Sequence, residues 1–520
     1  MAKILFINPV VREEDVPRHV PYGIALIAAI AMKKGHQVQI YDHNAWRQPL
    51  EIIREVLASD SWDVIAMGGI TTTYGSIKML VELSRTVCPD SLIVLGGGVL
   101  TSLPREMMTW LPAVDVGVIG EAFQTFPDIL EVLDSKRRDF TKIPGTISRA
   151  AGRLVMGPPR TLLRDLDSLP YPAWELFPLE EVYFKNSEHL FSAEGMLAKR
   201  RLDINASYGC SLICRFCYHL GIAGDLRYAK NEAGEDDVEF DKPGNYDRDI
   251  RYHSPEYVVK LVKYAHDRFG VDFIGFLDEN LMTMDVYSGR TWLKEICRLW
   301  KEYGLQPSHL RDGRPLTEHW TGVHWSGTSH ATLCTKEVLN EMRSAGCAAL
   351  VYGYESFSVQ IMKRLGKGAT PTTNVRSFFW TLESGIRPIP NMIIGFPSED
   401  FDSIRSSLEA WKELGIVVRP HFATPYPGSE WFHVYRKSIE AQYRGNLEKF
   451  VLDLGDATKI TGVISHNFNA VELLGLRELM LKFDYARIDE YETLWRAHHG
   501  IAAGAPSTLY RDPDALKLAS

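Results

Sequence analysis

Short apolar runs alternate with helix-period stretches from the first residues of the chain, and this alternation restricts the fold more than any other feature. Strands are predicted at Lys3 to Asn8, Gln37 to Tyr41, Val64 to Met67, Leu92 to Leu95 and Val114 to Ile119. Helices are predicted between and after them at Tyr22 to Lys34, Leu50 to Ala58, Ser76 to Val87, Pro104 to Leu111 and Phe123 to Leu133. Strand and helix taken in turn imply a parallel sheet covered on both faces. Such doubly wound sheets take ligands at the carboxyl ends of their strands. Two loops there are rich in small residues: Gly68-Gly69-Ile70-Thr71-Thr72-Thr73-Tyr74-Gly75 and Gly96-Gly97-Gly98-Val99. Consecutive glycines let a ligand lie against the backbone. Neither loop is a G-x-G-x-x-G dinucleotide fingerprint.

Residues 136–200 lose this period and carry Pro144, Pro158, Pro159, Pro170 and Pro172, as a stiffened connector would. Alternation resumes at Leu202, with helices expected at 254–268, 288–303, 335–345, 370–384 and 400–414. Further strands are expected near 271–277, 320–326, 348–354, 388–395 and 417–423. Helical patterning follows, as in Val471 to Phe483, and the tail after Gly500 is expected to be loosely ordered. The chain therefore divides into an α/β domain at 1–135, doubly wound and Rossmann-like, a linker at 136–200, a second α/β unit at 201–429, and a helical cap with its tail at 430–520. A length of 520 residues suits about three domains.

Chemistry is concentrated at Cys210-Ser211-Leu212-Ile213-Cys214-Arg215-Phe216-Cys217, directly after the second unit's first strand. Three thiols at this spacing on a loop can surround one face of an iron-sulfur cube, which is held by thiolates. A structural zinc site would need a fourth Cys or His at its own spacing, and His219 is the nearby candidate. Cys88, Cys297, Cys334 and Cys347 sit on apolar segments and read as buried structural residues.

The C-x3-C-x-aromatic-C pattern, with Phe216 in the aromatic place, resembles the signature of the radical S-adenosylmethionine (radical SAM) enzymes. The resemblance implies a [4Fe-4S] cluster on Cys210, Cys214 and Cys217, SAM on the open iron, and a partial (β/α)6 barrel. It also implies cleavage of SAM to methionine and a 5'-deoxyadenosyl radical. Matching strand-end residues follow in order. Asp278 and Glu279 correspond to the acidic segment near the SAM amino group. Ser326, Ser329 and His330 end the next strand, with His330 where relatives commonly carry arginine. Glu355, in Gly353-Tyr354-Glu355-Ser356, corresponds to the acid near the SAM ribose. Gly395-Phe396-Pro397 and Ala423 to Gly428 follow the last two strands.

The first domain, placed ahead of such a motif, resembles the cobalamin domain of the B12-dependent radical SAM enzymes. The matching residues are Pro9 after Asn8, Tyr22 and Gly23 opening the first helix, Thr71, Thr72, Thr73 and Tyr74, the turn Gly96, Gly97, Gly98 and Val99, and Gly120 with Glu121. These would surround the corrin. The D-x-H-x-x-G motif is missing, so no histidine is expected below the cobalt, and Thr72 to Tyr74 are expected to face its lower side.

The implied activity is methylation. Cob(I)alamin takes a methyl group from one SAM, a radical from a second SAM activates the substrate, and the substrate radical takes the methyl. An oxidative cyclase or rearrangement enzyme uses the same cofactors, and a cobalamin sensor or carrier with a structural cluster is the third reading. Arg311, Arg314 and His324, beside aromatics in 305–324, are candidate substrate contacts, as is Tyr426. The acidic insertion 223–251 reads as a surface loop or lid. Expected partners are a small-molecule substrate and an electron donor such as flavodoxin or ferredoxin. A net charge of -8 and a pI near 6.1 give no reason to expect nucleic acid. No apolar run reaches the roughly 20 residues of a membrane span, and no signal peptide is expected. A cytoplasmic location, where thiols stay reduced, is expected.

Overall fold

The structure is a computed structural model that describes residues 1–135, 138–188, 191–212, 214–218, 227–231, 233–239 and 250–502. His219, Asp241 and the tail 503–520 lie outside the described residues.

The first sheet contains β1 (Lys3–Asn8), β2 (Gln37–Asp42), β3 (Val64–Gly68), β4 (Leu92–Gly96) and β5 (Val116–Val118), joined in the parallel order β2-β1-β3-β4-β5. Side chains alternate across a strand, so each strand supplies two separate cores. Ile4, Phe6, Val64, Ala66 and Val94 enter one apolar cluster, and Leu5, Ile7, Ile65, Met67, Ile93 and Leu95 enter the other. This double burial explains why the strands read as continuous apolar runs.

The sheet does not end at residue 135. β6 (Thr146–Ala150) and β7 (Arg153–Met156) extend it antiparallel, with Val116 opposite Ser148. The first part of the expected linker is therefore sheet. Its prolines mislead because Pro144 and Pro158 flank the hairpin, where no ladder N–H is lost, and the turn is made by Ala151 and Gly152 at φ 47° and 76°. The rest of the connector packs inward, with Trp174 fully buried and the Tyr183 hydroxyl donating to Asp42 at 2.6 Å.

In the second unit, β8 (Arg201–Ile204) leads into the short strand β9 (Ser207–Tyr208). The acidic insertion forms a hairpin, β10 (Arg227–Lys230) and β11 (Asp236–Glu239), and β12 (Arg251–Tyr252) pairs back with β9. β13 (Phe273–Phe276), β14 (His324–Ser329), β15 (Cys347–Glu355), β16 (Arg387–Ile394) and β17 (His421–Phe422) follow. These five and β8 form a six-stranded parallel sheet in chain order, an open half-barrel. β14 begins later than its pattern suggested because Gly322 turns at φ 92°, where a Cβ would strike the Gln306 carbonyl at 2.6 Å. The helix Pro255–Phe269 opens as its sequence indicates, with Pro255 in the first turn and Ser254 Oγ accepting the Tyr257 N–H at 3.1 Å.

The C-terminal helices Glu430–Gln442, Leu447–Asp453, Ala470–Leu481 and Tyr485–His499 tie both units together. Glu448 accepts from the Tyr74 hydroxyl at 2.7 Å and pairs with Lys78 at 2.6 Å, both on the first unit. Arg405 of the second unit pairs with Asp489 at 2.7 Å. Among the described residues, no helix is long and apolar enough to cross a membrane.

The carboxyl edges of the two sheets face each other. Arg251 is ion-paired to Glu121, which follows β5, with side chains 4% and 12% exposed. His19, in the loop after β1, lies 2.6 Å from the Asp203 carboxylate on β8. Tyr22, buried at the start of the first helix, feels the charge of Asp278 beyond β13. Removing one member of a buried pair strands its partner. Arg251→Met or Glu121→Gln alone should therefore cost about 3–5 kcal/mol in urea unfolding, and the double variant should recover much of it. Silent single variants would contradict this role.

Candidate active site

The cluster loop leaves β9 at Gly209, whose φ of 105° turns the chain under Cys210. Cys217 N–H donates to the Cys214 carbonyl at 3.0 Å, folding the last four residues into a turn. Arg215 fixes the loop from outside, its N–H reaching the Leu365 carbonyl at 3.3 Å and its carbonyl accepting from Trp431 at 3.2 Å. Phe216 packs on Trp431 with ring centroids 5.7 Å apart. Cys214 is buried, and Cys210 and Cys217 are half-buried. Burial pushes the Cys217 thiol upward, and the nearby Cys214, Cys210 and Glu279 raise it further. Thiols held against mutual repulsion become thiolates when positive metal ions join them, which is the donor chemistry of an iron-sulfur cluster. Among the described residues, no three His, Cys, Asp or Glu side chains are already gathered at metal-binding distance. The fit lies in the three thiols sharing one loop. Cys297, Cys334 and Cys347 are buried elsewhere in the core.

Beyond β13, two adjacent acids have different environments. Asp278 is fully buried and accepts from the Ala206 N–H at 3.1 Å and from the Ser207 hydroxyl. It therefore joins the ends of β8 and β13, and burial lifts its pKa to about 6. Glu279 has a buried Oε2 without a hydrogen-bond partner. Burial, with Asp278 beside it, lifts Glu279 to about 8. A carboxyl group left short of a partner beside three thiols is suited to receive an ammonium group.

At the end of β15, Gly353 makes room for charge. A Cβ there would lie 2.2 Å from Glu355 Oε1 and 2.6 Å from Lys367 Nζ. Glu355 itself has φ 62°, a conformation rarely adopted by a non-glycine residue. That backbone, with a break in register against β16, directs its carboxylate to Lys367 Nζ at 2.5 Å. The ammonium also donates to the Gly353 carbonyl and lies 5.8 Å from the Phe216 ring centre. Burial disfavours its charge, but Glu355 and the Cys214 and Cys217 thiols outweigh burial and keep its pKa above the ordinary lysine value. Lys367 escaped the sequence reading; its position between Gly366 and Gly368, twelve residues after Glu355, was the available signal.

Ser326, Ser329 and His330 are buried at the end of β14. His330 Nδ1 lies 2.7 Å from Thr332 Oγ1. Burial and then the Lys367 ammonium lower its pKa to about 3, so the ring is neutral at pH 7. It therefore cannot supply the positive charge of the expected arginine. After β16, Glu399 holds the Gly395-Phe396-Pro397 turn by accepting the Gly395 N–H.

Across the gap, the cobalamin-type loops form a low backbone surface. Pro9 is buried behind β1, and Gly23 has open space where a side chain would begin. Gly97, at φ 83°, sits so close to Gly69 that a Cβ would meet its carbonyl at 2.6 Å, and Val99 N–H bonds that carbonyl at 3.0 Å. Thr71 and Thr73 are buried, Thr72 is half-buried and Ile70 is 56% exposed. Glycine backbone beside an exposed apolar side chain lets a large ligand lie close to the chain. Tyr74 points elsewhere, because its fully buried ring carries its hydroxyl to Glu448. Gly96 and Gly98 are half-buried beside exposed Gly97; Gly120 N–H is held by Thr101 Oγ1 at 2.9 Å, and Glu121 is committed to Arg251.

Tyr218, immediately after the last cluster cysteine, joins the two edges. Its backbone bridges to Ser429, and its ring lies 3.9 Å from the Cβ position of Gly98 and so close to Gly428 that a Cβ there would meet it at 2.3 Å. Burial lifts its hydroxyl to about 12 despite the nearby Ser102 and Thr101 hydroxyls.

Three expected substrate contacts lie towards the amino end of the half-barrel. Arg311 is exposed and paired with Asp312 at 2.9 Å, and Arg314 is exposed near it. His324 begins β14, is fully buried, and lies 3.0 Å from His309 through their Nε2 atoms. A segment leading into a parallel strand lies at its amino end, opposite the carboxyl-end site. Tyr426 follows β17 on the correct face, donating to the Gly455 carbonyl at 3.0 Å.

Comparison with known proteins agrees with this geometry. Residues 10–130 match the B12 binding domain family and residues 204–410 the Radical SAM superfamily. The uncharacterized methyltransferase PH0819 of Pyrococcus horikoshii is 25% identical over 410 residues, covering 79% of this chain and 77% of that protein. The cytidylyl-2-hydroxyethylphosphonate methyltransferase of Streptomyces wedmorensis is 24% identical, covering 82% and 80%. An anaerobic magnesium-protoporphyrin IX monomethyl ester cyclase of Synechocystis is 21% identical, covering 82% and 77%. Among solved structures, the radical SAM methyltransferase TsrM of Kitasatospora setae shares the fold with a TM-score of 0.62 at 16% identity, covering 84% and 76%.

Serine at Cys210, Cys214 or Cys217 should abolish iron retention after anaerobic reconstitution, whereas Cys297→Ser should retain it; equal iron in all four would contradict the assignment. Glu399 is lifted to about 8 by burial, so between its ordinary 4.5 and about 8 the folded chain holds a proton that the unfolded chain has lost. Its contribution to stability therefore falls as pH rises through that window. Glu399→Gln should flatten that part of the unfolding profile of the metal-free protein, and an unchanged slope would contradict this. With its two domain matches placed on the facing edges, the chain belongs to the cobalamin-binding radical SAM enzymes.

Proposed function

We propose that this protein is a cobalamin-dependent radical SAM methyltransferase acting on an unactivated carbon, or a phosphorus centre, of a small molecule. The observation that carries the reading is the facing of the two carboxyl edges, with Tyr218 spanning from the cluster loop to the glycine turn of the cobalamin-type domain. A substrate between them would touch both cofactor sites. Bound there, the cluster supplies the electron that cleaves SAM, and cobalamin carries the methyl group.

The chain's own part is binding, orientation and exclusion of water. Cys210, Cys214 and Cys217 would hold the cluster, Glu279 would accept the SAM ammonium, and Glu355 would serve its ribose. Ser326 and Ser329 line the adjoining strand end. Ile70 and Thr72 would pack against the corrin, and the sequence carries no D-x-H-x-x-G motif. The helix Leu447–Asp453 closes the edge against the first domain through Glu448. Tyr426 remains the substrate contact on the correct face. The reading calls for a reducing compartment, the cytoplasm, and a flavodoxin- or ferredoxin-type electron donor.

An oxidative cyclase is the second reading, favoured by the likeness to the Synechocystis enzyme. The two separate on products. With iron, sulfide, cobalamin, reductant and SAM supplied anaerobically, the methyltransferase should release both S-adenosylhomocysteine and 5'-deoxyadenosine. 5'-Deoxyadenosine alone would favour the cyclase, and neither product would leave a sensor or carrier.

A further inference from the structure

We propose that the outer side of the cluster loop is the docking face for an acidic one-electron carrier protein, received by Arg215, Lys363, Arg364 and Lys437. The inference rests on the radical SAM reading, in which an electron must reach the thiols of the loop, and it names where on this chain that electron enters.

The inner side of the loop faces the rest of the site. Tyr218 packs against the Gly98 turn of the first domain, and Glu279 and Lys367 lie within electrostatic reach of the thiols. The outer side forms one wall of a groove, which Arg215, Leu365, Phe396, Trp431 and Val434 line. Arg215 directly follows Cys214, so the groove comes within one residue of a cluster thiol. Phe216 packs on Trp431 with ring centroids 5.7 Å apart, so aromatic contact joins the loop to the groove wall.

The charge around this groove has one sign. Arg364 lines it beside Arg215, and exposed Lys363 precedes Arg364 on the helix Val359–Arg364. Lys437, also exposed, lies one turn beyond Val434 on the helix Glu430–Gln442. Among the described residues, Lys363, Arg364 and Lys437 have no carboxylate partner. The neighbouring acids are buried or already engaged. Glu430, 4% exposed, lies 3.5 Å from Arg215; Glu440 pairs with Arg436 at 2.9 Å; and Asp400 caps Ser403 at 2.8 Å. The chain as a whole carries a net charge of -8, so this face runs against its trend. Unpaired surface cations gathered at one place set up a positive field that steers an acidic partner towards them.

Val359, 70% exposed and one helical turn before Lys363, adds an apolar contact on the same helix. A small apolar contact within a charged rim suits a brief redox encounter, which buries less surface than a stable complex. One electron leaves the carrier and reduces the cluster by one electron, and neither a proton nor a group is transferred.

The test uses the anaerobically reconstituted enzyme with two acidic carriers, flavodoxin hydroquinone and a reduced ferredoxin, and with methyl viologen radical cation as a small reductant of opposite charge. Stopped-flow bleaching follows cluster reduction, and calorimetry measures binding of the oxidised carriers. At low ionic strength, Lys363→Glu/Arg364→Glu/Lys437→Glu should weaken binding and slow reduction about tenfold or more with at least one carrier, and should abolish the decline of that rate with added salt. Reduction by the viologen should be no slower. The neutral Lys363→Gln/Arg364→Gln/Lys437→Gln protein should fall between the two and serves if charge reversal impairs folding. Unchanged binding of both carriers would overturn the proposal, as would equal slowing with carriers and viologen. Self-association of the unaltered enzyme that charge reversal abolishes, with carrier binding unchanged, would make the face a contact between copies and also overturn it. A cluster reduced by the viologen but by neither carrier overturns the docking face alone, whereas an unaltered enzyme that the viologen cannot drive to cleave SAM fails the radical SAM reading itself.

Discussion

The arrangement depends on charged groups taken out of water where two parallel sheets meet edge to edge. A buried charge persists only when paired and hydrogen-bonded, so each such pair fixes where its two segments can lie. Arg251 on Glu121 sets the spacing between β12 and the end of β5. Lys367 on Glu355 sets the loop behind the cluster cysteines against the end of β15. Glu448, partly exposed, adds a third tie by receiving Tyr74 and Lys78, which holds the helical cap on the first domain. The apolar cores make each sheet stable, and these pairs determine which edges face.

Strand ends are a consistent source of function here because parallel sheets orient all their carboxyl edges alike. The first sheet contributes glycine turns so tight that Gly97 and Gly69 touch through backbone atoms, which gives a broad flat ligand room. The second contributes acids in increasing isolation: Asp278 joined to two strand ends, Glu355 paired with a lysine, and Glu279 with an oxygen lacking a partner. Glu279 and the three thiols lie on neighbouring loops, so one cofactor can engage both.

Much of this was legible in the chain. Double burial made the strands readable as apolar runs, and thiol spacing singled out the loop of Cys210, Cys214 and Cys217 as a candidate cluster site. What escaped depends on distant pairing. Nothing in the sequence beside Glu121 announces Arg251, and nothing beside Tyr74 announces Glu448, 374 residues away. The hairpin of β6 and β7 was hidden by prolines that lie outside its strands. Arg311, Arg314 and His324 lie at the amino end of β14, because a connection entering a parallel strand sits at that end. Composition drew attention to that segment, while topology placed it about the length of a strand from the chemistry.

The central claim is that cluster and corrin share one gap between facing edges. Paramagnetic cobalt and a reduced cluster bound in the same molecule should couple magnetically, and pulsed electron paramagnetic resonance on enzyme loaded with both reads that coupling directly. The account predicts strong dipolar coupling that is absent when Cys214→Ser removes the cluster. Full loading of both cofactors with two independent, uncoupled spectra would contradict it.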